Sequence, residues 1–407
     1  MSLKKVVFPI SSMFFAIAFL AVGYGMILTF IGVYLKDMNI STSIIGLINA
    51  SFFLGAVLSS IFSQKIISTV GHIRSFAAFT SLMVITFLLH SLFFDVTLWA
   101  ILRLISGFSF YGLLIILESW LNEKSSEEDR GKILAIYTIV FYLSTAIGQL
   151  FLNIDEHFKQ FIFAIGSVLV LFSVIFISLT KIKEPVIKPF ERYSFPKIYS
   201  VVPLATVSSF ISGFFVGGFF AMVPVYILLK SDSIETVSTF MLISIIGGLI
   251  SQWPIGMLSD KFGRRKLISA VALLTAITSL LFILYSSNDE YLNILGFMLG
   301  LTIFSIYPLS VARANDVVDE NKDVIEISRT LLFTYGIGSF ISPLLIGFGI
   351  TYFIPNFLFI CFAILGVFLS IYALTKDKIP DEDMSVFVNI PVASGAELPE
   401  LDPRQEE

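Results

Sequence analysis

Apolar runs separated by short polar segments fill the chain from about residue 8 to residue 375. Segments of about 18 or more residues almost free of charge read as membrane-crossing helices, because hydrocarbon leaves backbone amides no partner outside the element itself. Twelve such runs are found, at about 8–35, 43–64, 74–94, 97–121, 131–153, 159–180, 202–229, 235–258, 267–287, 292–314, 329–352 and 354–375. No stretch remains for a soluble domain. The predicted fold class is an all-α membrane protein of twelve transmembrane helices in two six-helix bundles.

Composition strengthens this reading. Of 407 residues 56% are hydrophobic, 14% charged and 43 are Phe, and mean hydropathy is +0.91, whereas soluble domains carry roughly a quarter charged residues. Basic residues set the predicted orientation. With both termini cytoplasmic, every Lys and Arg of the 26 lies on the cytoplasmic side except Lys36, Lys159, Lys230 and Arg103, as expected when basic loops stay inside. The chain is therefore expected in the plasma (inner) membrane. Met1 to Val7 carries two lysines but no small-residue cleavage pattern, which predicts an uncleaved first helix rather than a signal peptide. A net charge of −4 adds nothing about partners. The one cysteine, Cys361, can form neither an internal disulfide nor a thiolate cluster.

The chain also repeats itself. Asp260 to Lys266 forms a tight basic turn between two apolar runs, and a degraded copy spans Thr69 to Arg74. Gly71 aligns with Gly263 at an offset of 192, Gly107 with Gly300 and Asn122-Glu123 with Asn315-Asp316 at 193, and Gly148-Gln149 with Ser342-Pro343 at 194. A near-constant offset at separated sites indicates a doubled bundle. Residues 181–200, with Pro185, Pro189 and Pro196 among basic residues, read as a cytoplasmic linker between bundles at 1–180 and 201–376, and the acidic tail 377–407 as disordered cytoplasmic chain. Parallel repeats place a substrate cavity near the midplane, between halves that rock around it.

The turn Asp260-Lys-Phe-Gly-Arg-Arg265 resembles the signature loop of the major facilitator superfamily, and Arg103-Leu-Ile-Ser-Gly107 resembles that superfamily's fourth-helix motif, with Ser106 at the usual polar position. More narrowly, Glu118-Ser-Trp-Leu-Asn122 followed by Arg130-Gly-Lys-Ile-Leu-Ala135, Gln252-Trp-Pro-Ile-Gly256 and Tyr307-Pro308 is similar to the YcaD-like branch of transporters. The resemblance covers essentially the whole chain and implies the major facilitator fold and a transport role, with no settled substrate. The first-half loop departs from the pattern. It lacks the acid, and only Gly71 and Arg74 match well, so the second copy is expected to supply most of a cytoplasmic latch.

Candidate chemistry is sparse. Gly71, Arg74, Glu123, Asp260, Gly263, Arg264, Arg265 and Asp316 are the candidate cytoplasmic gate: glycine permits the tight reversal, and charge pairs there would break when that side opens. The basic residues could instead serve only to set topology. Arg103 lies roughly 9 Å from the middle of its helix, where an unpartnered cation costs at least about 2.5 kcal/mol, so it must face the interior. Its partners could be helix carbonyls, Gln149, Tyr24, water or an anionic substrate group; alternatively it locks the bundle through first-helix backbone. Apart from Glu235 at the first position of its span, Glu118 is the one acid within the predicted spans, roughly 22 Å from Arg103 toward the cytoplasm at 1.5 Å per residue. It could pair with Arg130, Lys132 or Arg74 in the latch, or carry protons. Tyr24, Asn49, Gln149, Tyr226, Gln252 and Tyr307, together with Tyr142, Asn153, Trp253 and Tyr335, could line a cavity for a small amphipathic solute, although many would be helix-packing contacts. His90 is expected at the surface. Glycines in the first and eleventh helices, with Pro343, mark close contacts and flexible points.

No nucleotide loop, serine elbow or His and Cys metal cluster is present, so neither an enzyme nor a cofactor or metal is expected, and nothing points to nucleic acid. Rings of charge or a repeated carbonyl filter, as a channel would need, are missing too. The residues leave three readings: a monomeric secondary transporter of a small organic solute working by alternating access, with or without proton coupling; an uncoupled facilitator; or a sensor or scaffold on a transporter fold.

Overall fold

The computed structural model describes residues 10–124, 127–153, 160–179, 202–286, 289–317 and 324–377. Twelve α-helices appear in this part of the chain: α1 Ser11–Asp37, α2 Thr42–Val70, α3 His72–Leu92, α4 Val96–Lys124, α5 Glu127–Leu150, α6 Ile162–Ser178, α7 Pro203–Ser231, α8 Ile234–Phe262, α9 Arg264–Tyr285, α10 Asp289–Asn315, α11 Val324–Tyr352 and α12 Phe357–Leu374. Eleven are long and apolar enough to cross a membrane, and α6 is a shorter apolar helix. The segment expected as a linker, 181–200, and the tail from 378 onward lie outside the described residues.

Connections are tight where the chain permits them. Gly71 and Gly263 each join two helices with φ of 95° and 84° and ψ of 163° and 142°, a region that essentially only glycine occupies without strain. Asp232 ends α7 in the left-handed conformation, and the Ser233 hydroxyl then caps α8 by accepting from the Thr236 amide at 3.2 Å. Pro224, Pro254, Pro308 and Pro343 sit inside helices, which tightly packed neighbours make tolerable.

Packing follows the internal repeat. In the first bundle α1 packs on α5, α2 on α4, and α3 on α4 and α6; in the second, α7 packs on α11, α8 on α10, and α9 on α10 and α12. A Cβ on Gly107 would strike the Phe52 carbonyl, and one on Gly300 the Ser244 carbonyl, so equivalent glycines let equivalent helix pairs touch backbone to backbone. The bundles meet through α2 with α11, α5 with α8, and α1 with α7. Exchanging the two repeats turns the first of these contacts into the second and maps the third onto itself, as a twofold relation requires. Apolar side chains such as Phe15, Leu88, Ile101, Leu284 and Ile364 project outward, where lipid rather than water is the fitting solvent.

Candidate functional site

Between the bundles, near the middle of the helices, lies a narrow cavity of about 20 Å³, room for roughly one water molecule, so in this conformation the facing side chains nearly fill it. Tyr24, Phe53, Phe110, Tyr111, Leu114, Phe141, Tyr142 and Thr145 line it from the first bundle, and Val216, Phe220, Ile245, Phe304 and Tyr335 from the second. Among the described residues that line it, none is charged. Tyr24 and Phe110 stack face to face at 3.7 Å and 8°, closing one wall. Across the gap the Tyr142 ring meets Phe304 edge-on at 5.6 Å, so the two bundles interlock through aromatic rings. The cavity therefore presents flat apolar faces with a few hydroxyls.

Sequence reading located only part of this wall. Tyr24, Tyr142 and Tyr335 line the cavity; Arg103, Asn49, Gln149, Tyr226, Gln252 and Tyr307 do not. Gln149 donates to the Gly25 carbonyl at 2.9 Å and Gln252 to the Gly248 carbonyl at 3.3 Å, so both amides serve helix packing. The Tyr226 hydroxyl meets Ser286 and Asn356, each at 3.0 Å, and the Tyr307 ring packs on Tyr335 at 4.9 Å. Trp253 is 71% exposed and Asn153 is exposed, both facing away from the interior. The Phe residues carry no polar signal that sets them apart from the many other apolar positions, and Thr145 and Tyr111, though they bear hydroxyls, are not among the residues the sequence singles out.

Arg103, only 1% exposed, spreads its guanidinium over the Phe52 ring at 4.4 Å and donates from Nη2 to the Asn49 Oδ1 at 3.2 Å. Among the described residues its hydrogen-bond and ring partners both lie on the second helix, rather than on first-helix backbone or Tyr24. Glu118 is equally buried and accepts a hydrogen bond from the Tyr137 hydroxyl at 2.9 Å. His90, expected at the surface, is 3% exposed: its Nδ1 donates to the Thr86 carbonyl at 2.5 Å, and its ring stacks on Phe163. Aromatic neighbours from α4 and α6 cover it, a contact no local pattern reveals.

At the glycine-turn end the second repeat carries a charge cluster in which Arg264 and Asp316 are buried and Asp260 is exposed. Arg264 donates to Asp260 at 2.5 Å and to Ser259, and its Nε lies 3.5 Å from the Asp316 carboxylate. Arg265 and Arg313 donate to the Lys376 and Asp377 carbonyls at 2.5 and 2.9 Å, pinning the end of α12. In the first repeat Arg74 is exposed, and His72 occupies the position that corresponds to Arg264. Its ring packs on Trp120 at 5.8 Å, and its Nε2 lies 3.4 Å from the Ser119 hydroxyl. Glu123 lies in the last turn of α4, and its side chain lies outside the described residues.

Two related six-helix bundles enclosing an uncharged cavity in a membrane-spanning chain define a membrane transport protein. The chain belongs to the Major Facilitator Superfamily, whose family profile matches residues 13–253 and 205–387. It is 23% identical over 360 residues to the uncharacterized MFS-type transporter YcaD of Escherichia coli O6:K15:H31 (strain 536 / UPEC), covering 87% of this chain and 92% of that one. Its fold is similar to the nucleoside transporter NupG (17% identity, TM-score 0.66, 92% and 99% of the two chains). It is also similar to a D-xylose-proton symporter (14%, TM-score 0.73, 96% and 99%). The family is one of transporters, not of enzymes.

Proposed function

We propose that this transporter carries a small, uncharged, amphipathic organic solute by alternating access through the Tyr- and Phe-lined cavity. The observation that carries the reading is the wall itself: tyrosines Tyr24, Tyr111, Tyr142 and Tyr335 among apolar rings, drawn from both bundles, with no charged residue among the described residues of the lining. A charged solute would shed its water there without gaining a counter-ion, at a cost of several kcal/mol. The fold similarity to a nucleoside transporter and a D-xylose-proton symporter supports an uncharged, hydroxyl-bearing cargo. The basic bias of the loops supports cytoplasmic termini, and the turn residues Gly71, Arg74, Glu123, Asp260, Gly263, Arg264, Arg265 and Asp316 would then form the cytoplasmic gate.

Glu118 is the candidate for proton coupling. It follows Tyr111 by seven residues on α4, roughly 10 Å along the same face, and its buried carboxylate accepts a hydrogen bond from the Tyr137 hydroxyl. An uncoupled facilitator is the second reading, favoured by a cavity wall without a carboxylate. Purified protein in liposomes, screened with nucleosides, neutral sugars, aromatic alcohols and organic anions, should move the neutral group. Movement of anions alone would overturn the substrate class. Under an imposed pH gradient, Glu118→Gln should abolish accumulation while leaving equilibration; accumulation unchanged by the substitution would remove Glu118 as the carrier.

A further inference from the structure

Asn49 stands between a buried cation and the opposite bundle. Its Oδ1 accepts from Arg103 Nη2 and its Nδ2 donates to the Ala221 carbonyl of α7, both at 3.2 Å. A guanidinium can only donate and a carbonyl can only accept, so the two neighbours together dictate which way the amide lies. Asn49 is seven residues from the start of α2 and Arg103 seven from the start of α4, placing both roughly 10 Å from the end opposite the glycine turns. At the same level Gly32 of α1 packs on Val225 and Ala221 of α7. Further hydrogen bonds join the bundles at this end: Thr42 with Thr351 at 2.6 Å and with the Gly347 carbonyl at 3.4 Å, the Ser43 amide donating to Thr351 at 2.8 Å, and Ser238 donating to the Gln149 carbonyl at 2.7 Å.

We propose that Asn49 is the switchable bolt of this closed end and that Arg103 is a positioning residue that aims its amide at α7. Both groups are 1% exposed, so water cannot replace the bond while the end stays shut. When the end opens, α7 withdraws the Ala221 carbonyl, whereas Arg103 and Asn49 travel together on the first bundle. The bolt is thus asymmetric: its aim is stored in one bundle and its catch in the other. The idea goes beyond the substrate reading, because opening is detected by distance rather than by solute flux, and either can fail alone.

Spin labels at Asp37→Cys and Lys230→Cys, both exposed positions near the closed end, in a Cys361→Ser background would report the separation. Asn49→Asp keeps an acceptor for Arg103 but presents an oxygen to the Ala221 carbonyl, so the long-distance population should rise roughly tenfold, the upper range for losing one hydrogen bond. Arg103→Lys, which still donates to Oδ1, should leave the distribution as in the parent. If Asn49→Asp does not fold, Asn49→Ala should give a rise of roughly two- to tenfold on the same grounds. An unchanged distribution in the folded Asn49 variant, or an equal rise in Arg103→Lys, would overturn the proposal.

Discussion

The two glycine turns share a backbone and differ in what they hold. At Gly71 and Gly263 the chain takes nearly the same positive-φ conformation, so the reversal between helices is common to both repeats. After it, one turn places His72 against Trp120 and Ser119, and the other places Arg264 among Ser259, Asp260 and Asp316. Backbone geometry and charge chemistry have thus separated. One copy kept an ion cluster, while the other kept the turn and filled the same place with an aromatic, weakly polar contact.

Arg264→Ala should give the largest effect, because it strips a buried guanidinium from the Asp316 carboxylate, a change that costs about 3–5 kcal/mol when one partner of a buried pair is lost. Thermal unfolding in detergent would check it; a loss no greater than that of an exposed substitution would make the cluster ornamental. Gly263→Ala and Gly71→Ala come next, each at about 1–3 kcal/mol of backbone strain. Nothing lies within 4 Å of a Cβ placed on Gly263, so there the cost is conformational alone. Losses that are equal in the two turns would show that the reversal is independent of the charges; a much smaller loss at Gly71 would break the comparison. His72→Ala should cost about 1 kcal/mol, the worth of one ordinary contact, and Arg74→Ala, exposed to solvent, should leave the unfolding temperature unmoved. A large effect of Arg74→Ala would mean that the first repeat uses its basic residue after all.

Much of the helix pattern was readable before the fold. The predicted span 43–64 became Thr42–Val70 and 267–287 became Arg264–Tyr285, because low charge over a membrane thickness leaves a helix as the one economical structure. The site was harder to read. Polarity drew attention to Gln149, Gln252 and Tyr226, yet these close hydrogen bonds inside the packing, while Phe110, Phe141 and Phe304 form the wall. In a chain with 43 Phe, a ring that faces a cavity and a ring that faces lipid have the same local signature.

Arg103 illustrates the limit from the other side. That a cation at such depth must turn inward follows from its solvation cost alone, and the guanidinium is indeed buried. That its partner is an amide 54 positions away, and that this amide reaches on to Ala221 of the second bundle, depends on which helix faces which.

Hydropathy and the offset glycines were enough for the number of helices and their doubling, since each reflects a free energy set by a residue and its nearest neighbours along the chain, while the family rested on the resemblance carried by the Asp260–Arg265 and Arg103–Gly107 motifs. The cavity wall, the His72 and Arg264 exchange and the Asn49 bridge were decided in three dimensions, because they depend on rotation about each helix axis, and in a helix apolar on nearly every side that rotation is chosen by the neighbours it packs against.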